Sequence, residues 1–147
     1  MVMGPEALML DSDLRPIEAY RSTHYRVHDT LETVTLRIDE PSTALLAIHN
    51  RFGASSSAFV TAWNPGSKSL SPEENRAAQQ ALCSEIEGLG LASLKGEGVD
   101  PTGGWPAEAS CLILGIDRQR AEQLGRRFRQ SAIVFAAAEC IPELILL

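Results

Sequence analysis

Aromatic side chains, cysteines, unbroken apolar runs and positive charge are all in short supply in this chain. Aromatic residues make up 5% of the 147 positions. The one aromatic among the arginines of residues 117–129 is Phe128, on the inner stripe of the expected helix, which leaves none to stack nucleobases and weakens an RNA-binding reading. Cys83, Cys111 and Cys140 are far apart and form no CxxC pair. Such a set argues against a disulfide framework or a zinc knuckle. Each cysteine falls in an apolar stretch, where a thiol serves as a small buried hydrophobe, and the sequence offers no evident histidine partner for a catalytic cysteine.

The most apolar stretch, Ala132 to Leu147, is interrupted by Glu139, Pro142 and Glu143, so no membrane span is expected. Lysine and arginine total 13 against 19 acidic residues, a net charge of −6. That balance opposes binding to a polyanion or an anionic membrane surface. The opening residues Met1 to Leu10 carry no basic start and run directly into Asp11 and Asp13. They do not resemble a signal peptide; residues 1–12 are expected to be a loosely packed N-terminal segment. A reducing cytoplasm is the expected setting.

Several catalytic signatures are missing too. No GxxxxGK[ST] phosphate loop or GxSxG elbow occurs, and Gly96-Glu97-Gly98 lacks the third glycine and following helix of a dinucleotide fingerprint. His24 and His28 have the four-residue spacing of zinc ligands on a helix, but without the glutamate of HExxH. His49 stands alone. No metal site is expected.

What is present suits one globular domain: 44% hydrophobic and 22% charged residues, without repeats or a linker. Asp13 can cap a helix running to about Thr23, and Thr33 to Ile38 alternates as a strand does. Ser42 can cap a short helix that Gly53 ends. Ser57 to Trp63 reads as a buried strand stopped by Asn64-Pro65-Gly66. Ser71-Pro72-Glu73-Glu74 is the clearest helix start, and that helix should reach Leu89. Strands follow at Leu91–Gly98 and Ser110–Ile116, then a helix from Asp117 to about Phe128, then strands at Ile133–Ala137 and Leu144–Leu147. The expected fold is a single α+β domain over residues 1–147, a mixed β-sheet of about five or six short strands with about four packed helices.

Within the third of those helices, Asn75, Gln79, Leu82, Ile86 and Leu89 are spaced 4, 3, 4 and 3, which keeps them on one face. Two amides therefore point inward at the start of an otherwise apolar stripe. Buried amides need partners, so Asn75 and Gln79 either hold a loop backbone or face a ligand. The loop Thr61 to Ser67 lies next to them in the chain. Trp63 can wall an apolar site, Asn64 and Ser67 can hydrogen-bond, and the helix N-terminus with Glu74 completes a crevice suited to an anionic group. The alternative is that Asn64-Pro65-Gly66 merely makes a turn and Trp63 fills the core.

Two further segments have this polar character. One contains Tyr20, Arg21, Thr23 and Tyr25; the other runs from Gly96 through Trp105 to Ser110. Glu97 and Glu108 can serve as an acid/base pair if the loop between them folds back, since unequal surroundings separate two carboxylates' pKa values. Otherwise they are solvated loop acids. Five arginines between Arg118 and Arg129 form either a contact for phosphates or acidic partners, or the solvated face of an amphipathic helix.

Trp63-Asn64-Pro65-x-Ser67, Glu74-Asn75, Gly96-x-Gly98, Trp105-Pro106-x-Glu108-x-Ser110 and Phe128-x-Gln130-x-Ala132 occur in that order, preceded by Tyr20-Arg21-x-Thr23-x-Tyr25. Together they resemble a family of small bacterial proteins catalogued as domain of unknown function 3293. The resemblance covers Tyr20 to Leu147. In that pattern a small residue is expected between Phe128 and Gln130, where this chain has Arg129. The resemblance implies a compact bacterial cytoplasmic protein and supplies no reaction, cofactor or partner.

The functional expectation is a small-molecule site at residues 61–79, with an anionic ligand and catalysis both open. Tyr20, Thr23, Tyr25, Trp63, Asn64, Ser67, Glu74, Asn75, Gln79 and Trp105 are its binding candidates, and Glu108 and Glu97 its catalytic candidates. The alternative is a non-catalytic protein-interaction or regulatory module, self-association included, with the C-terminal strand as a candidate edge for pairing with a partner or a second copy. No cofactor is legible, and nucleic acid is disfavoured as a partner.

Overall fold

The computed structural model describes residues 15–147. Asp13, expected to cap the first helix, lies outside them, as does the expected loose segment 1–12. In chain order the elements are α1 (Arg15–Ser22), β1 (His24–His28), β2 (Thr33–Leu36), α2 (Thr43–Phe52), β3 (Ser57–Val60), a short 3-10 turn (Pro65–Ser67), α3 (Pro72–Gly88), β4 (Ser93–Val99), β5 (Glu108–Leu114), α4 (Arg118–Arg127), β6 (Ala132–Ala136) and β7 (Glu143–Leu146).

Local chemistry sets most boundaries. Ser42 accepts from the Leu45 N–H to start α2, and Gly53, at φ 62°, ends it. Ser71 and Glu74 make the reciprocal capping box that begins α3. Asp117 accepts from the Arg120 N–H at the start of α4. Arg129 follows α4 at φ 56°. A left-handed residue just past a helix end favours glycine, which accounts for the small residue expected there.

The seven strands form one sheet in the order β2-β1-β4-β5-β3-β6-β7. The α+β class holds, with two corrections to the sheet: among the described residues there are seven strands, not five or six, and every pairing is antiparallel rather than mixed. The reason lies in the crossovers. α3 connects β3 to β4, which run parallel but have β5 between them; α4 connects β5 to β6, which run parallel but have β3 between them. Each is a split β-α-β unit, so strand–helix alternation survives in the sequence while no described parallel pair shares hydrogen bonds.

β1 is the element missing from the sequence-based reading. Tyr25 and Val27 point into the core, while His24 and Arg26 are half-buried and His28 is exposed. His24 and His28 thus lie on a strand, not a helix.

Each face of the sheet has its own core. Tyr25, Val27, Leu36, Phe59, Leu112 and Val134 pack with Tyr20 of α1 and Leu45 and Ile48 of α2. Val60, Cys111, Ile113, Ile133 and Phe135 pack under Leu82 and Ile86 of α3 and Ala121 and Leu124 of α4. Leu89, expected to extend the α3 stripe, caps the helix instead and is exposed. Because α3 and α4 cover β5, β3 and β6, the described residues leave the β1–β4 side of that second face open, with α3 as its bank.

Gly96 shows how tightly the first face is packed. A Cβ there would sit 2.4 Å from the Arg26 carbonyl oxygen and 2.9 Å from the Phe59 ring. The Gly96-x-Gly98 pattern is therefore partly a packing requirement: residue 96 must be bare for the Phe59 ring to cross it.

Candidate functional site

Beyond β3 the chain turns through Asn64, a left-handed residue at φ 47°, and passes over the end of the sheet before α3. Side-chain amides hold this turn. Asn75 Oδ1 accepts from the Asn64 backbone N–H at 2.7 Å, and Asn75 Nδ2 donates to Asn64 Oδ1 at 2.8 Å. Asn64 Oδ1 also accepts from the Leu70 N–H at 3.0 Å. Gln79 Oε1 accepts from the Ala62 N–H at 3.1 Å, and Gln130 Nε2 donates to the Trp63 carbonyl at 3.2 Å. Asn75 and Gln79 both hold the loop backbone, one of the two roles open to them. Glu74 is exposed and engaged in the capping box. The side chain of Ser67 lies outside the described residues.

Glu108 opens β5 and is buried, with Asn64 Nδ2 donating to Oε2 at a long 3.5 Å. Register aligns Tyr25, Gly98 and Glu108 across three strands. Tyr25 donates its phenol proton to the Tyr20 carbonyl at 2.6 Å, and Thr23 Oγ1 donates to the Ala19 carbonyl at 2.7 Å. Burial pushes the Tyr20 phenol up to about 12, a hydrogen bond with Ser131 works against that, and the Glu108 charge adds to it. Tyr25 is raised in the same way, burial dominating. Both phenols stay neutral. Trp105 packs half-buried against this core.

Glu97 does not join Glu108. It sits one register position away from the Gly98–Glu108 pair, opposite Ala109, and successive strand residues point to opposite faces. It faces the open side, with Arg26 directly across on β1 and its carboxylate 3.5 Å from His28 Nε2. The expected acid/base pair is therefore divided by the sheet, because both residues belong to strands rather than to a folding-back loop.

The open side holds a groove of about 380 Å³, mostly apolar, between α3 and β4–β5. Trp63 and Gln79 line it together with Arg76, Cys83, Lys95 and Cys111, and His28 closes one end. Lys95 pairs in register with Cys111. Arg76 has Glu73 beside it at 3.4 Å and His28 has Glu97, whereas Lys95 has no carboxylate within 4 Å among the described residues. Cys83 and Cys111 are 3.7 Å apart at the sulfurs, and Gln79 Nε2 donates to Cys111 Sγ at 3.5 Å.

Of the expected site residues, then, only Trp63 and Gln79 line this groove. Tyr20, Thr23, Tyr25, Asn64, Asn75, Trp105 and Glu108 belong to the packed face or to the loop above it. Arg76, Gln80, Cys83 and Lys95 escaped the sequence reading. The first three are spaced 4 and 3 on α3, a second stripe beside the amide stripe. Lys95 shares a face with Cys111 only once the β4–β5 register is known.

The family model described as protein of unknown function (DUF3293) matches residues 60–133. That span is half of the chain and carries the motifs from Trp63 to Gln130. The chain belongs to this family. No curated protein and no solved structure matches it. Within the matched span, Trp63, Asn64, Asn75, Glu108 and Gln130 all meet at the turn after β3. The family pattern thus coincides with the loop that forms one wall of the groove.

Four of the five arginines near α4 have carboxylate neighbours: Arg118 with Glu122 and Glu143, Arg120 with Asp117, Arg126 with Glu122 and Arg127 with Glu85. Arg129 lies over Gly66 instead. These are exposed ion pairs along a solvated helix face. No helix among the described residues is long and apolar enough to cross a membrane.

Proposed function

We propose that this protein binds a small organic anion in the groove between α3 and the β4–β5 face. The carrying observation is an apolar cleft of about 380 Å³ whose one unpaired charge among the described residues is Lys95. Its volume falls at the lower end of the range for small-molecule sites, roughly 300–1,000 Å³. Trp63 supplies a flat wall, Gln79 and Gln80 supply amides, and Lys95 with Arg76 supplies positive charge against the acidic background of the chain. A compact ligand with a planar apolar part and a carboxylate or phosphate matches that lining.

Binding is favoured over catalysis because the buried carboxylate best suited to acid/base work, Glu108, faces away from the groove. A thermal-shift panel pairing aromatic carboxylates and nucleoside phosphates with neutral counterparts tests the reading. A ligand at about 100 times its dissociation constant stabilises by about 2.7 kcal/mol. The anionic members should shift the transition and lose that shift in Lys95→Glu. Equal shifts from the neutral counterparts would contradict it.

Self-association is the second reading. β7 is an edge strand, and Leu146 on it is 53% exposed. An open edge of that kind can pair with another copy. Light scattering would show a dimer that Leu146→Lys dissolves; a monomer at every concentration would end this reading.

A further inference from the structure

We propose that Cys83 and Cys111 are a redox-active dithiol that a hydroperoxide converts to a reversible disulfide across the groove. The chemistry stands on the thiols alone; its effect on ligand binding rests on the groove reading above. The two sulfurs belong to different elements, α3 and β5, and lie 3.7 Å apart, already in contact. Both line the groove, and Cys83 is half-buried there rather than sealed. Lys95 sits across from Cys111 in the β4–β5 register and Arg76 lines the same wall, so cations stand where thiolate character would develop.

The third thiol provides the contrast. Cys140 is 1% exposed, with His49 Nδ1 at 3.3 Å from its sulfur and His49 Nε2 at 2.7 Å from Ser57 Oγ. This supplies the histidine neighbour that the sequence alone did not reveal. The trio is nonetheless enclosed: His49 and Ser57 are each 1% exposed as well. Burial holds the Cys140 thiol above its usual range and the His49 imidazole below it, so both stay neutral.

At the groove, burial pushes Cys111 up to about 12, with Cys83 adding to the rise and Lys95 opposing it. Cys111 therefore waits as a thiol while Cys83 meets the oxidant. The Cys83 sulfur attacks one peroxide oxygen and the O–O bond breaks. The departing oxygen takes the Cys83 proton and leaves as water, or as an alcohol from an organic hydroperoxide, giving a sulfenic acid. The Cys111 sulfur then attacks the Cys83 sulfur. The S–O bond breaks, and hydroxide departs with the Cys111 proton as water. Two electrons pass from the sulfur pair to the peroxide, and one S–S bond forms. Because a disulfide spans about 2.05 Å, closure draws α3 toward β5 and replaces the thiol that Gln79 now contacts, narrowing the ligand groove.

The test uses the full chain, reduced and then titrated with hydrogen peroxide. Free thiols are counted after denaturation and the peptides are mapped by mass spectrometry. Titratable thiols should fall from three to one, with a Cys83–Cys111 linked peptide, an intact mass two hydrogens lighter, Cys140 free, and full reversal by dithiothreitol. Cys83→Ser and Cys111→Ala should each keep both remaining thiols unlinked under the same treatment. Cys83 accumulating as sulfinic or sulfonic acid without a linked peptide would overturn the proposal. So would three surviving thiols, or a linkage to Cys140. Equal linkage in urea-unfolded chain would also overturn it, because the fold would then contribute nothing. Since no ligand is present, failure here leaves the anion reading to its own test.

Discussion

The two sides of the sheet use polar residues in opposite ways. On the α1–α2 side and at the turn above it, Asn64, Asn75, Tyr25 and Thr23 direct their hydrogen bonds to the protein itself. On the α3 side, Lys95, Arg76 and Gln80 stand exposed around an apolar floor. The first arrangement holds a loop in place; the second presents groups to whatever enters. Burial of a polar group in this molecule thus marks a structural hydrogen bond, because a buried amide is recruited by the nearest unpaired backbone. The groups that remain available are the ones a folding argument passes over as ordinary surface.

Substitutions should separate the two sides cleanly. The largest effect is expected at Gly96→Ala, whose Cβ would collide with the Arg26 carbonyl and the Phe59 ring. Overpacking of this sort costs about 3 kcal/mol, read as a lower urea midpoint. Asn75→Ala comes next. It removes an acceptor from the Asn64 N–H and a donor from Asn64 Oδ1, and leaving such buried groups unpaired costs about 2 kcal/mol. Chemical denaturation would show it, and a loss below about 0.5 kcal/mol would mean the turn is not held this way. Lys95→Glu, by contrast, should change stability by less than about 0.5 kcal/mol. A large destabilisation there would erase the distinction between the two sides.

A pH titration of stability probes the buried face from another direction. Burial lowers the His49 pKa from its ordinary 6.5. The folded state therefore binds the proton less readily than the unfolded chain does. Its contribution is fully present above pH 6.5 and is lost as pH falls toward the lower folded value. Urea midpoints should decline through that window, and His49→Gln should flatten the decline. Cys140 stays neutral throughout, since burial raises its pKa.

The sequence made much of this fold legible. The capping box at Ser71–Glu74, the Ser42 and Asp117 caps and the alternation of Thr33 to Leu36 are short-range signals, and each element formed as its local chemistry dictates. β1 is not legible because only Tyr25 and Val27 alternate within its five residues, directly after a helix expected to end near Thr23. The antiparallel pairing was not legible because inserting β5 between β3 and β4 is a long-range choice that no local pattern records. The same limit hid the groove. Trp63 and Gln79 could be named from one segment, but Lys95 meets them only through the β4–β5 register, and Glu97 and Glu108 part company only because strands alternate.

The central claim is that Lys95 and Trp63 take a small organic anion on the open side of the sheet. Tryptophan fluorescence tests it most directly in a Trp105→Phe protein, where Trp63 is the one remaining tryptophan of the two in the chain. The titrant is the anion giving the largest thermal shift. The account predicts a saturable change in Trp63 emission, with the midpoint moving about tenfold, or about 1.4 kcal/mol, on adding Lys95→Glu. A thermal shift without any change in Trp63 emission, or a midpoint indifferent to Lys95→Glu, would contradict it.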